Sequence, residues 1–214
     1  MSQLYVHEIY LSIQGESSRA GLPCTIIRLA GCNLECRWCD TPQARVQERQ
    51  MPVGEILACV AQLKCNRVEV TGGEPLAQSA AMELLTRLCE ANYETLLETN
   101  GSIDVSNVDG RVKRIIDVKC PGSGVADFNL WTNLQSLGPR DEVKFVIANR
   151  QDYDYARDVT LLHKLIGRVE VIFSPVVDEL PASELAKWII ADRLDVRLGL
   201  QLHKVIWPDA NGGV

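Results

Sequence analysis

The sequence predicts an α/β fold, an incomplete and open (β/α) barrel that carries an extra strand at its N-terminus. Short β-rich segments alternate with amphipathic helical patterns along most of the 214 residues, which indicates right-handed βαβ units and a mainly parallel sheet. Ionisable residues interrupt nearly every apolar strand, so the sheet is expected to have a polar side. The chain is also shorter than the roughly 250 residues that are typical of a closed eight-unit barrel.

The predicted strands are short runs rich in apolar and β-branched residues, as strands of a core sheet are. An additional strand, at about residues 4–15, precedes the alternating series. The series itself is predicted at residues 25–30, 67–71, 95–99, 114–118, 142–147, 169–173 and 196–203.

Helices are predicted where apolar residues recur on one helical face between the strands. Ile56 and Val60 show this spacing, and so do Leu84 and Leu88. Tyr155, Val159, Leu162 and Ile166 fit a third helix, and a fourth covers residues 185–190 after Pro181 and Ser183, a plausible helix start.

Five charged residues lie inside the predicted strands, namely Arg28, Glu69, Glu98, Asp117 and Lys144. An uncompensated buried charge costs several kcal/mol, whereas a whole domain is stable by only about 5–15 kcal/mol. Either these side chains face solvent at sheet edges, or they line a polar cavity where they pair with one another and with a ligand. An open barrel with a polar lumen accommodates the second arrangement.

Composition excludes several classes of protein. With 46% apolar and 23% charged residues, the chain is not intrinsically disordered. A net charge of −6 gives no basic field for nucleic acid, and no apolar run is long enough to span a membrane. The N-terminus lacks a signal-peptide pattern. We expect one cytoplasmic domain over residues 1–214, with a C-terminal extension at about residues 205–214.

Three of the eight cysteines are packed together, as Cys32, Cys36 and Cys39. Clustered cysteines in a reducing compartment point to a metal centre rather than to disulfides. Structural zinc normally has four ligands, whereas a [4Fe–4S] cluster held by three thiolates keeps one iron open. An open coordination position is typical of a catalytic site, and these cysteines follow a strand, at the C-terminal mouth of the predicted barrel.

A second motif, Gly72-Gly73-Glu74-Pro75, follows the next strand at the same end of the sheet. Glycines let a backbone approach a ligand closely, their amides can bond a carboxylate, and Glu74 can accept from an ammonium group. The alternative interpretation is an ordinary strand-to-helix turn in which Pro75 begins the helix.

The cysteine spacing, with Trp38 before the last cysteine, resembles the signature of the radical S-adenosylmethionine (SAM) superfamily. The resemblance implies a radical SAM type of barrel and a [4Fe–4S] cluster on Cys32, Cys36 and Cys39. It also implies that SAM chelates the open iron and is cleaved to a 5′-deoxyadenosyl radical. The implied cofactor-binding residues are Trp38, Cys39, Asp40, Gly73, Glu74, Asn100, Asp117, Val118 and Lys119.

Segments outside those motifs, residues 8–16, 27–34, 38–41, 117–124 and 201–204, closely resemble the 7-carboxy-7-deazaguanine synthase family. The resemblance implies a lyase that converts 6-carboxy-5,6,7,8-tetrahydropterin to 7-carboxy-7-deazaguanine with loss of ammonia. The product belongs to 7-deazapurine and queuosine biosynthesis. SAM is regenerated, Mg²⁺ assists, the electron donor is a protein such as flavodoxin or ferredoxin, and the enzyme is a homodimer.

The same resemblance implies a pterin pocket and a Mg²⁺ ligand. Gln14 and Glu16 would read the aminopyrimidinone edge, the forked guanidinium of Arg28 would pair with the substrate carboxylate, and Thr41 would bind Mg²⁺. The implied substrate-binding residues are Ile13, Gln14, Gly15, Glu16, Arg28, Thr71 and His203.

Each of these roles has a structural alternative. Residues 14–16 fit a polar hairpin turn, and Arg28 fits an ion pair with Glu69 or Glu98. His203 fits a buried core histidine, and Thr41 fits the cap of a turn. The chain departs from many relatives at Ser17, where they have glycine, and in the extension beyond residue 205, where some relatives place a terminal carboxylate in the pocket.

Two rival functions remain open at this point. A glycyl-radical-enzyme activating enzyme shares the cysteine spacing, but it would need a surface for a large protein substrate and would lack the elements at residues 14–16 and 41. A non-catalytic iron–sulfur electron carrier, or a zinc-binding module, would need neither Gly72-Gly73-Glu74 nor a polar lumen.

Overall fold

The computed structural model describes residues 2–46 and 49–208, so the end of the predicted C-terminal extension, residues 209–214, lies outside the described residues. Its centre is a nine-stranded sheet. The strands are β1 (Gln3–Ile13), β2 (Pro23–Leu29), β3 (Gln50–Pro52), β4 (Arg67–Gly72), β5 (Glu94–Thr99), β6 (Lys113–Val118), β7 (Glu142–Ile147), β8 (Glu170–Pro175) and β9 (Arg197–Leu198).

The strand order is β3-β1-β2-β4-β5-β6-β7-β8-β9, and every pair from β2 to β9 is parallel. β1 pairs antiparallel with β2, and β3 pairs antiparallel with β1. The two edge strands, β3 and β9, do not pair with each other within the described residues. The prediction of an open parallel sheet with one additional N-terminal strand is therefore confirmed.

Helices cover one face of the sheet. They are α1 (Val53–Leu63), α2 (Ala80–Glu90), α3 (Thr132–Gln135), α4 (Arg150–Leu162) and α5 (Ala182–Asp192). A further helix, α6 (Leu202–Ile206), lies apart from them, against the connection between β1 and β2. The apolar residues that predicted α1 and α2, among them Ile56, Val60, Leu84 and Leu88, are completely buried in the main core. Burying each such side chain contributes roughly 1.5–3 kcal/mol. None of the helices in residues 2–46 and 49–208 combines the length and apolarity needed to cross a membrane.

The opposite face of the sheet carries the charged residues. In β4, Val68 and Val70 pack against the helices, so the intervening Glu69 points to the other side, because side chains alternate along a strand. Glu98, Asp117 and Lys144 alternate in the same way with core residues of their own strands. The strand charges therefore line a lumen on the concave side of the sheet, as the sequence predicts.

The last predicted strand, residues 196–203, is wrong in extent. β9 contains only Arg197 and Leu198, and residues 202–206 form α6. The chain passes so close to β8 at Gly199 that an added Cβ would lie 2.5 Å from Ser174 Oγ. It then leaves the sheet, and the Leu202 amide donates to the Gly15 carbonyl, 3.0 Å away. The residues from Gly199 to Ile206 thus join the β9 edge to the β1–β2 connection.

Candidate active site

The three clustered cysteines lie in the loop that follows β2, at the C-terminal end of the parallel strands. Gly31 begins this loop with a φ of 89°, a left-handed conformation that glycine adopts without strain. All three thiols are free and partly exposed. Burial raises the pKa of Cys36, and the neighbouring thiols Cys39 and Cys32 add to this effect, so the sulfur atoms form one local group.

The glycine motif after β4 is packed directly beneath the cysteine loop. A Cβ on Gly73 would lie 2.0 Å from the Gly31 carbonyl oxygen, and one on Gly72 would lie 2.1 Å from the Leu29 carbonyl oxygen. The Gly73 amide donates to Leu29 and the Glu74 amide donates to Gly31. The Gly73 amide is therefore already bonded to the backbone that leads into the cysteine loop, and a contact between the glycine amides and a ligand carboxylate stays a prediction.

The Glu74 carboxylate is also hydrogen-bonded within the protein. It is fully buried and accepts hydrogen bonds from the Leu76 amide, the Thr99 hydroxyl and the Asn100 amide. Burial raises its pKa, and these donors lower it in part. The contact of Glu74 with a ligand ammonium group stays a prediction, since both of its oxygens already accept hydrogen bonds from the protein. Pro75 begins a short 3-10 turn that Glu74 caps. The local conformation is therefore the strand-to-turn connection that the alternative interpretation gives. The two glycines allow this connection to lie close to the cysteine loop.

Polar groups from the next two strands reach the cysteine loop. Asn100 donates to Asn33 at 2.9 Å, and its Nδ2 lies 3.9 Å from Cys32 Sγ. Lys119 Nζ is 2.6 Å from Asp117 Oδ2, while Asp117 Oδ1 is buried without a hydrogen-bond partner. An orphaned carboxylate oxygen beside the loop is an acceptor that a ligand can use.

Val118 and Trp38, two further predicted cofactor contacts, have different surroundings. The Val118 side chain is part of the main core, so only its backbone could contact a ligand. The Trp38 ring lies beside Gly122, where an added Cβ would be 3.0 Å from Trp38 Cη2, and the Arg37 guanidinium lies 4.8 Å from the ring centroid. The tryptophan therefore fixes the cysteine loop against the segment after β6.

The β1–β2 connection, residues 14–22, enters the lumen from the opposite end. β2 begins where this connection ends, so the connection lies at the N-terminal mouth of the barrel. Ser18 bonds to Glu142 at the start of β7, and Arg19 bonds to Glu94 at the start of β5. Residues 14–16 do lie in the connection between two paired antiparallel strands, as the hairpin-turn alternative holds. The same connection also closes the N-terminal mouth of the lumen.

Glu16 extends from that connection into the lumen. Its Oε2 is 2.9 Å from Lys144 Nζ, and Lys144 also forms an ion pair with Glu98. Burial opposes ionisation of Glu16, but the charge of Lys144 and the hydrogen bonds from Gln201 and Lys144 lower its pKa to about 2. Glu16 is therefore an ionised acceptor at neutral pH, held in place by a buried lysine.

The side chain of Gln14 is already hydrogen-bonded within the protein. Its side-chain oxygen accepts from the Glu16 and Ser17 amides, and its Nε2 donates to Glu69 at 2.6 Å. One N–H remains for a substrate edge, so the predicted contact of this amide with a substrate stays a prediction that rests on that single donor. Burial raises the pKa of its partner Glu69 to about 8, with Glu98 as the next cause, and a protonated Glu69 can donate a hydrogen bond at neutral pH.

Three of the other predicted substrate residues also line this region. Arg28 bonds to Glu8 at 2.8 Å and to the Tyr10 hydroxyl at 3.0 Å, so its partner is neither Glu69 nor Glu98. The Thr71 hydroxyl donates to Glu98 at 3.3 Å. The His203 ring lies against Gly15, where an added Cβ would be 2.5 Å from Nδ1. His203 is half-buried beside the lumen rather than in the main core.

Ile13 and Thr41 complete the predicted set. Ile13 ends β1 opposite Pro23 and is partly exposed. Thr41 precedes the 3-10 turn at Pro42–Arg45, but its hydroxyl makes no capping hydrogen bond. The side-chain cap expected as an alternative for Thr41 is therefore absent from this turn, and the hydroxyl remains able to bind an ion.

The structure adds Glu8, Tyr10 and Gln201, to which the sequence assigns no site role. Glu8 and Tyr10 alternate along β1 and meet Arg28 across the strand pair, and the period-two polarity of β1 is the signal that could have found them. Gln201 donates to Glu16 at 2.9 Å and to Asp40 at 2.7 Å. No local pattern in the sequence indicates a contact over such a separation.

Comparison with known proteins is consistent with this geometry. The family model described as "Radical SAM superfamily" matches residues 26–189. A "7-carboxy-7-deazaguanine synthase" of Chlorobaculum tepidum is 46% identical over 98% of this chain and 97% of its own length. One from Koribacter versatilis is 43% identical over 99% and 100%. The crystal structure of QueE from Escherichia coli superimposes with a TM-score of 0.77 at 21% identity, covering 93% of this chain and 94% of that chain, which shows the shared fold.

Proposed function

Because the chain belongs to the 7-carboxy-7-deazaguanine synthase family of the radical SAM superfamily, we propose that it converts 6-carboxy-5,6,7,8-tetrahydropterin to 7-carboxy-7-deazaguanine with release of ammonia. This places the protein among the lyases of queuosine biosynthesis. The observation that carries the proposal is a single lumen with two different ends. The cysteine loop and Gly73 lie at one end, and the Glu16–Lys144–Glu98 group lies toward the other.

The family uses a [4Fe–4S] cluster and SAM, and the residues of the cysteine loop fit them. Each of the three thiols can bind a different iron of a cluster, and Gly73 lets two backbone segments meet directly behind the loop. When bound, the cluster supplies the electron that cleaves SAM. The orphaned Asp117 oxygen, the Lys119 ammonium and the Asn100 amide are the groups that we expect to orient the cofactor.

The pterin is proposed to lie in the lumen between the two ends. Glu16, ionised and fixed by Lys144, would accept hydrogen bonds from the N–H groups of the aminopyrimidinone edge. Arg28 would exchange part of its contact with Glu8 for the substrate carboxylate, and Thr71 and His203 would border the ring. Gln14 would contact the substrate through its one remaining side-chain N–H, because its backbone N–H and C=O are bonded to Leu22 and Gly21. Ile13 and Gly15 would border the pocket.

Thr41 is proposed as the single protein ligand of Mg²⁺. Its hydroxyl makes no capping bond, and it directly follows Asp40 at the cysteine end of the lumen. Mg²⁺ usually keeps several waters and binds through few protein groups together with the substrate. One hydroxyl is therefore a sufficient protein contribution.

The rival functions fit the lumen less well. An activating enzyme for a large protein substrate needs open access, but residues 14–22 close one mouth and residues 199–206 cross the side of the barrel. An electron carrier needs no polar lumen, yet Lys144, Glu69 and Gln14 are almost fully buried there. Both observations favour a small-molecule enzyme.

Several properties extend this proposal. We propose one domain over residues 1–214, a homodimer, and a flavodoxin or ferredoxin as the electron donor. All eight cysteines are free thiols, which supports a reducing, cytoplasmic location. The roles of the predicted site residues given above belong to the same proposal.

Anaerobic turnover tests the function directly. The reconstituted protein, with SAM, a strong reductant, Mg²⁺ and 6-carboxytetrahydropterin, is expected to form 7-carboxy-7-deazaguanine and ammonia in equal amounts. Cys36→Ala should abolish SAM cleavage, whereas Cys59→Ala, on the outer helix α1, should leave product formation unchanged. Formation of 5′-deoxyadenosine without any deazaguanine product would refute the substrate assignment.

A further inference from the structure

One residue joins the two ends of the lumen. Gln201 is 6% exposed, and its Nε2 lies 2.9 Å from Glu16 Oε1 and 2.7 Å from Asp40 Oδ2. Glu16 belongs to the proposed pterin pocket, whereas Asp40 lies between the last clustered cysteine and Thr41. Both hydrogens of this amide group are therefore donated to carboxylates, one in the proposed pterin pocket and one beside the cysteine loop.

Each of the two carboxylates forms an ion pair with a different lysine. Lys144 pairs with Glu16 at 2.9 Å, and Lys204 pairs with Asp40 at 2.6 Å. The result is a continuous chain of contacts that runs from Lys144 through Glu16, Gln201 and Asp40 to Lys204. Because Gln201 is neutral, it holds two anions near one nitrogen without neutralising either of them, so each carboxylate keeps its capacity to bind a ligand.

The backbone around Gln201 makes the link stiff. The Leu202 amide donates to the Gly15 carbonyl at 3.0 Å, directly beside Glu16, and the Lys204 amide donates to the Gln201 carbonyl. The Gly21 backbone lies against Leu202, and Gly15 lies against His203. A shift of the β1–β2 connection on binding a ligand would therefore move Gln201 together with it.

We propose that Gln201 is a positioning residue that couples occupancy of the pterin pocket at Glu16 to the binding of SAM beside Asp40. The inference rests on the proposed function. A pterin that donates hydrogen bonds to Glu16 competes for its lone pairs and changes the contact with Gln201. The amide of Gln201 then changes its contact with Asp40. Linkage makes the effect reciprocal, so the factor by which the pterin changes the affinity for SAM is also the factor by which SAM changes the affinity for the pterin.

The test measures binding rather than turnover. Cluster-loaded protein is kept oxidised, so that SAM is not cleaved, and its affinity for SAM is measured by anaerobic calorimetry with and without saturating 6-carboxytetrahydropterin. We expect the pterin to strengthen SAM binding by roughly fivefold or more in the unmodified protein, the usual lower range for coupled sites. Gln201→Leu should reduce that ratio to about one.

Two further variants separate coupling from folding. Gln201→Asn keeps the amide but is one methylene shorter, so it can reach only one carboxylate and should also lose the coupling ratio. Gln62→Leu, an exposed position on α1, is the matched control and should keep it. A merely structural role predicts that Gln201→Leu weakens both affinities while the ratio is unchanged, and that result would overturn the inference.

A second readout uses the metal-free chain. Hydrogen exchange at the Leu202 amide should accelerate about tenfold in Gln201→Leu, as expected when a hydrogen-bonded link of ordinary strength is lost. Unchanged protection there would also overturn the inference. If the unmodified protein forms product but shows no coupling ratio, the inference alone fails. If it binds SAM but neither binds nor converts the pterin, the proposed function fails with it.

Discussion

Single residues in the lumen have protonation states that their neighbours determine. Glu69 and Glu16 are both carboxyl groups beside the same lysine, yet they shift in opposite directions. Burial raises the pKa of Glu69 to about 8, whereas Glu16, despite burial, is lowered to about 2 by Lys144 and Gln201. At neutral pH one carboxyl can therefore donate a hydrogen bond, whereas the other can only accept.

The Glu69 shift predicts a pH dependence of stability. A folded pKa above the usual 4.5 favours the folded state fully below pH 4.5, and that contribution is lost as the pH rises to about 8. The loss amounts to up to about 5 kcal/mol. Glu69→Gln, which can still accept from Gln14, should remove this slope and unfold at higher urea concentration than the unmodified protein at pH 8.

Urea denaturation of the metal-free chain between pH 5 and pH 9 checks this expectation. Glu90→Gln, an exposed position at the end of α2, serves as the control and should keep the slope. The lowered pKa of Glu16 affects stability in a different pH range. Its contribution to the free energy of unfolding is present above pH 4.5 and disappears as the pH falls to about 2. An unchanged slope between pH 5 and pH 8 in Glu69→Gln would contradict the assignment.

At the scale of elements, the connections that follow β2 and β4 are packed directly against each other. Gly73 has no room for a side chain, since its Cβ would overlap the Gly31 carbonyl oxygen at 2.0 Å. The hydrogen bonds from the Gly73 and Glu74 amides run between the same two loops. The position of the cysteines therefore depends on a residue in a different strand-to-helix connection.

Gly73→Ala should displace the cysteine loop and reduce the iron and sulfide retained after reconstitution by at least about half. Forcing one extra methyl into a tight contact typically costs 1–3 kcal/mol. Gly54→Ala is the matched control, because nothing lies within 4 Å of its added Cβ and the position is helical. That variant should retain full iron and gain about 0.5–1 kcal/mol. Full cluster content in Gly73→Ala would show that the loops move independently.

The sequence predicts the elements that depend on local patterns, and it fails where distant segments meet. The parallel strands and the longer helices follow from apolar periodicity, and the cysteine spacing identifies its loop. The last strand is wrong because the alternation of Leu198, Leu200 and Leu202 does not reveal that Leu202 bonds to Gly15. The bond between Gln14 and Glu69 is hidden for a similar reason, since the two residues lie on segments far apart in the sequence.

At the scale of the whole molecule, the lumen has more acidic than basic groups. The five carboxyl groups are those of Glu8, Glu16, Glu69, Glu98 and Asp117. The three cations are Arg28, Lys119 and Lys144. The N–H groups of a pterin and the ammonium of SAM can bind to such acceptors, while the carboxylates of the two ligands can bind to the cations. The lumen therefore offers both acceptors and cations to a pterin and to SAM.

Lys144 is the buried cation in the middle of this arrangement, and it holds β7, β5 and the β1–β2 connection together. Lys144→Met should destabilise the protein by about 3–5 kcal/mol, because it leaves the Glu16 and Glu98 carboxylates in the lumen without their shared cation. The double variant Lys144→Met/Glu16→Gln should recover part of that loss. Lys187→Met removes an exposed ion pair with Glu184 and should change stability by less than about 1 kcal/mol. Chemical denaturation measures all three, and equal effects of the two single variants would contradict this account.

The contact between Gly73 and Gly31 also has a consequence for protein engineering. Any attempt to transplant the cysteine loop into another barrel must carry the glycine turn of the neighbouring strand with it, because each backbone occupies the space that the other leaves. The transferable module is consequently a discontinuous one, two short peptides about forty residues apart that have to be exchanged as a matched set.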